Sequence, residues 1–213
     1  SKIELFEHRP VPKAIATLAI PTILSSLVMV IYNLADTYFV GMLNDSIQNA
    51  AVTFVAPVLL EFNAVNNLFG VGSSSLMSRS LGMKDYQMVR KTSAIGFYCT
   101  LFFATFIAIG CALFYKSLIY MLGSDVVTFE ATYQYMLWTV MFGAVPAILN
   151  VVLAYMVRSE GASLHASIGT MSGCFLNIIL DPIFILPWGL NMGAAGAGCA
   201  TFISNCVACI YFF

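Results

Sequence analysis

One apolar run, residues 18–41 (LAIPTILSSLVMVIYNLADTYFVG), constrains this chain more than any other stretch. It exceeds the roughly 20 residues that a bilayer-spanning helix needs. It carries Pro21 near its start and a carboxylate, Asp36, near its end. An ionisable side chain at that depth is costly unless it is paired or faces water, so it marks a functional site. Much of the remaining sequence bears on what meets Asp36.

The rest of the chain is built alike. Hydrophobic residues make up 60% of it and charged residues 9%, where a soluble domain has about 25% charged. The expected class is an all-α integral membrane protein. Six apolar segments are readable, at about 14–43, 50–78, 92–115, 129–157, 166–186 and 194–213, after a polar arm at 1–13. Eight of the nine Lys and Arg residues fall in that arm and in the connections between segments two and three and segments four and five. By the positive-inside tendency this side is cytoplasmic, and six crossings return the chain to it, so both termini are expected to be cytoplasmic. The chain reads as a piece of a longer protein. No basic patch suggests a nucleic-acid partner. The six cysteines all lie in apolar runs, where a free thiol behaves as a small hydrophobe, and neither a disulfide framework nor redox chemistry at Cys206 and Cys209 is expected.

Three carboxylates lie at membrane depth: Asp36, Glu61 and Asp181. At about 1.5 Å per residue, Asp36 and Asp181 are each roughly 10 Å from the outer ends of their segments. Asn177 precedes Asp181 by one helical turn and shares its face. Tyr135 and Thr201 fall at a similar depth. Two carboxylates with amide, hydroxyl and phenol oxygens can hold a small hard cation such as Na⁺, or can share a proton. Either property suits a coupled transporter. Glu61 lies deeper, near Asn63, Asn66 and Asn67, as a candidate cavity residue for substrate or ion. Pro21 removes one backbone hydrogen bond and permits a bend.

Several stretches, taken in order, resemble the multidrug and toxic compound extrusion (MATE) family of secondary transporters. They are Pro21 with Tyr32-x-x-x-Asp36-Thr-x-Phe-Val-Gly41, Gly70-x-Gly-x-x-x-Leu-x-Ser-Arg79-x-Leu-Gly82, Arg158-Ser-Glu-Gly161, Asn177-Ile-Ile-Leu-Asp-Pro182, and Met192-Gly-x-x-Gly-Ala197 with Ala200-Thr201. The resemblance implies twelve helices in two six-helix lobes, this chain being the N-terminal lobe of a prokaryotic member. It implies export of cationic or amphipathic drugs in exchange for H⁺ or Na⁺ across the plasma membrane, with no cofactor beyond the coupling ion. The family's coupling-ion cluster maps onto Asp36, Asn177, Asp181 and Thr201, its nearby tyrosine onto Tyr135, and its helix-bend proline onto Pro21. The implied partners are small-molecule drugs, lipids, and either the second lobe or a second copy of this one. A non-transporting scaffold fragment is the alternative. An intramembrane hydrolase using Ser73, Ser74 or Ser75 with His165 is a minor one.

Overall fold

A computed structural model describes residues 11–213; the arm expected at 1–13 lies largely outside the described residues. Among these residues the structure is helical. α1 is Val11–Gly41 and runs without interruption through Pro21. α2 is Ser46–Val65. A π-helical turn, Asn66–Val71, joins it to α3, Gly72–Gly82, so the two form one long span. α4 is Tyr86–Met121, with a kink at Phe114, whose φ and ψ are −109° and 18°. α5, Phe129–Met136, ends in a second π-helical turn, Leu137–Met141, and α6, Ala144–Ser159, follows a 41° bend. α7 is Ser163–Ile185 and α8 is Ala194–Phe212. Five of these helices, or six with the bent pair taken as one, are long and apolar enough among the described residues to cross a membrane.

Local chemistry sets the boundaries. Asp45 caps α2, its carboxylate accepting from the Ile47 N–H at 2.9 Å, and Asp85 caps α4 by accepting from the Met88 N–H at 3.0 Å. The cap at Asp85 starts α4 well before position 92, where apolar content alone places it. α4 also continues past position 115, because Lys116 near a membrane helix end can extend its ammonium toward the interface. The Lys116 Nζ lies 5.9 Å from the Tyr115 ring centroid.

α6 is the centre of the bundle, packed against α3, α4, α7 and α8. Met77, Met136, Val140, Ile148, Val152 and Ile185 are almost wholly buried and form the core. α7 lies between α8 and α1, and α1 rests on α7 with only light contact to α2 and α8. Close approach at the top of α8 requires glycine. A Cβ at Gly196 would stand 2.5 Å from the Phe184 carbonyl oxygen. The outward faces carry large apolar side chains, among them Leu27 and Leu34 on α1 and Phe102 and Phe106 on α4, as a lipid-facing surface should.

Candidate coupling site

α7 carries Asn177 and Asp181 on its inner face. Asp181 is fully buried and Asn177 is 2% exposed. The Asn177 Nδ2–H donates to Asp181 Oδ2 at 2.8 Å. The Asn177 Oδ1 accepts from the Thr201 hydroxyl and from the Thr201 backbone N–H, each at 3.1 Å. The opposite amide orientation, with Nδ2 toward the Thr201 hydroxyl, would turn the amide oxygen onto the carboxylate, two acceptors face to face. Thr201 sits mid-way along α8, so one side-chain bridge ties α7 to α8 beside a buried carboxylate.

Asp36 approaches from α1. Its Oδ1 is buried and has no hydrogen-bond partner among the described residues. It lies close enough to Asp181 for the two charges to interact. Tyr135, 6% exposed at the end of α5, stands within the field of both carboxylates. The structure therefore brings buried Tyr135, Asn177 and Asp181 together with half-buried Asp36 and Thr201 in one group. Two carboxylates, one with a bare oxygen, fit a proton or a hard cation held by oxygen donors.

Pro21 is about four turns below Asp36 on α1. It leaves the Thr17 carbonyl without its usual donor. The hydroxyls of Thr22 and Ser26 bond back to the carbonyls of Leu18 and Thr22, at 2.9 and 3.0 Å, and that of Ser25 bonds to Thr22 O at 2.9 Å. Back-bonding of this kind favours bending. Glu61 lies apart from the group, exposed on α2, while neighbouring Asn66 is buried in the π turn. Ser73 lies against Gly96, Ser74 Oγ donates to the Val71 carbonyl at 3.0 Å, and His165 Nδ1 lies 3.5 Å from the Tyr211 hydroxyl.

One member was missed in the sequence. Tyr32 lies one turn before Asp36 on the same face of α1 and sits near Thr201 and both carboxylates. The four-residue spacing from Asp36 was the available signal. Asn150 on α6 and Asn205 on α8 were missed as well; Asn150 Nδ2 donates to Asn205 Oδ1 at 3.2 Å.

A family model described as MatE matches residues 21–183. The chain is 34% identical over 208 residues to the multidrug export protein MepA of Staphylococcus aureus strain MRSA252, covering 97% of this chain and 45% of that protein. It superimposes on a crystal structure of MATE in the straight conformation with a TM-score of 0.90 at 30% identity. Against a structure of MATE in the bent conformation the TM-score is 0.86 at 29% identity; both alignments cover all of this chain and 46% of the other. The chain spans about half the length of the relatives it matches. It is an integral membrane protein with several spanning helices and belongs to the MatE family.

Proposed function

We propose that this chain is one six-helix lobe of a multidrug exporter, and that its buried carboxylate pair takes the coupling ion, H⁺ or Na⁺. The observation that carries this reading is the Asp181–Asn177–Thr201 bridge beside the bare Asp36 oxygen. A polar group so arranged in an apolar bundle has oxygen donors ready for a cation and no structural need for a second carboxylate. Loading the site removes the repulsion between Asp36 and Asp181 and draws α1 toward α7. Unloading restores it. Pro21 and the hydroxyls around it allow α1 to respond by bending, which alters the face presented to a second lobe. Cationic or amphipathic drugs are the proposed cargo; the Staphylococcus aureus relative is named a multidrug export protein. Glu61, on the exposed face of α2, is the proposed contact for cationic cargo. The proposed setting is a bacterial or archaeal plasma membrane, with both termini of the lobe cytoplasmic.

The test is dye uptake into everted vesicles containing the full-length transporter, with an imposed H⁺ or Na⁺ gradient. Uptake driven by one gradient and lost in Asp36→Asn and Asp181→Asn supports the reading. Gradient-driven uptake that survives both substitutions overturns it.

A further inference from the structure

A cavity of about 270 Å³ extends from the carboxylate cluster along α6 toward the end of the bundle where α6 stops. Tyr32, Asn177 and Thr201 line its upper end, Asn150, Ser204 and Asn205 its middle, and Arg158 its lower end. Asn150 and Arg158 are eight residues apart, so this path is roughly 12 Å long at about 1.5 Å per residue. Polar groups from α1, α6, α7 and α8 project into it between stretches of apolar wall. Asn150 Oδ1, Ser204 Oγ and Arg158 Nε are each buried with no hydrogen-bond partner among the described residues. Buried polar atoms left bare are destabilising, and a space this size holds several waters at ~30 Å³ each, which would satisfy them.

Arg158 borders the lower end. Its guanidinium lies 5.9 Å from the Tyr155 ring centroid. The same side chain also borders a separate apolar groove formed by Ile15, Leu18, Ala19 and Ile23 of α1. Arg158 is thus the partition between the polar interior and the outer surface of the lobe. A guanidinium stays protonated at any physiological pH. Fixed positive charge at a constriction is a barrier to cations and not to water.

We propose that this cavity is a hydrated vestibule below the carboxylate cluster, and that Arg158 bars cations from reaching the cluster through it. The inference rests on the cluster being the coupling-ion site. It adds a reason why that site exchanges ions by one route only: the second route is wet but electrostatically closed. A transporter that let ions cross the lobe by this path would dissipate its gradient without moving cargo.

The experiment has two arms, both on the full-length transporter. Cys174 lines the cavity and is a native reporter. In a background with the other five cysteines of this lobe, and any elsewhere in the protein, replaced by alanine, a small hydrophilic neutral thiosulfonate is expected to label Cys174 with and without Arg158→Gln. A cationic aminoethyl thiosulfonate is expected to label it about tenfold faster in Arg158→Gln, the factor for removing a unit charge across the roughly 12 Å path at an effective dielectric of ~20. Arg158→Lys should keep the slow cationic rate. This arm needs no transport. Absence of neutral labelling, or equal cationic labelling with and without Arg158, overturns the proposal even if gradient-driven export is intact. In the second arm, Arg158→Gln vesicles without drug should leak the coupling ion faster than wild type, and Asp36→Asn added to Arg158→Gln should abolish that leak. A leak that persists in the double variant overturns passage through the cluster.

Discussion

Asn177 donates its amide to the Asp181 carboxylate at 2.8 Å from one turn away on the same helix, while its oxygen accepts from Thr201 on α8. One amide thus both fixes the position of a buried acid and joins two helices. Asn177→Ala removes a hydrogen bond to a carboxylate and leaves it bare. The expected loss is about 1.5–3 kcal/mol of stability, the range for bonds to charged groups, read as a lowered melting temperature in detergent. Asn177→Asp should be worse, because a third carboxylate would face Asp181.

Tyr32→Phe keeps the ring and removes only the hydroxyl, a hydrogen-bonding group beside Thr201 and the two carboxylates. Folding should be nearly unchanged. Coupling-ion affinity should fall by up to about tenfold, ~1.4 kcal/mol being the upper end for one such bond. A titration of dye uptake against ion concentration reads this directly; unchanged affinity would remove Tyr32 from the site.

Much of this site was legible because its members stand out against apolar runs. Asp36, Asn177 and Asp181 are expensive there, and the spacing of the last two places them on one face. Asn150 and Asn205 were not legible. Which way Asn150 faces depends on the rotation of α6 after the π turn at Leu137–Met141 and the bend that follows, and Asn205 on α8 stands out only once Asn150 is placed opposite it. A π turn inserts a residue into the helical count and rotates everything after it, and no residue type announces it. The same holds for the π turn at Asn66–Val71, which separates the environments of Glu61 and Asn66. Helix ends depended on capping carboxylates at Asp45 and Asp85 more than on hydropathy.

Two glycine substitutions should separate sharply. A Cβ at Gly196 would meet the Phe184 carbonyl at 2.5 Å, so backbone must move, and Gly196→Ala should destabilise by about 1–3 kcal/mol, as overpacking does. Gly110 on α4 has nothing within 4 Å of that position, so Gly110→Ala should be neutral or stabilising by up to about 1 kcal/mol from helix propensity. Thermal melts of the two variants side by side check both.

Pro21→Ala returns an N–H to the Thr17 carbonyl and completes the hydrogen-bond ladder of α1. The expected result is a more stable α1 and slower turnover in dye export. Spin-label distances between the two ends of α1 should then change less on ion addition than in wild type. An unaltered distance change would remove the bend from the mechanism.

The loop before α5 has its own pH dependence. Asp125 accepts from the Thr128 N–H at 2.9 Å, the Thr128 hydroxyl at 2.8 Å and the Val127 N–H at 3.1 Å, which hold its carboxyl below the ordinary value of 3.8. A depressed carboxyl contributes order that is complete above its unfolded value and lost as pH falls through the folded one. Amide exchange at Val127 and Thr128 should therefore be slow at neutral pH and accelerate, beyond the intrinsic trend, only below pH 3.8. Asp125→Ala should show fast exchange at every pH.

α1 leans on α7 along its length and barely touches the other helices. A helix seated on one neighbour can roll or bow along that seam while the core around α6 stays shut. The lobe is thus built in two parts: a keel formed by α3, α4, α6 and α8, and a single loosely moored spar. Under the proposed coupling, an ion held between Asp36 and Asp181 has only that spar to act on, and not the whole hull.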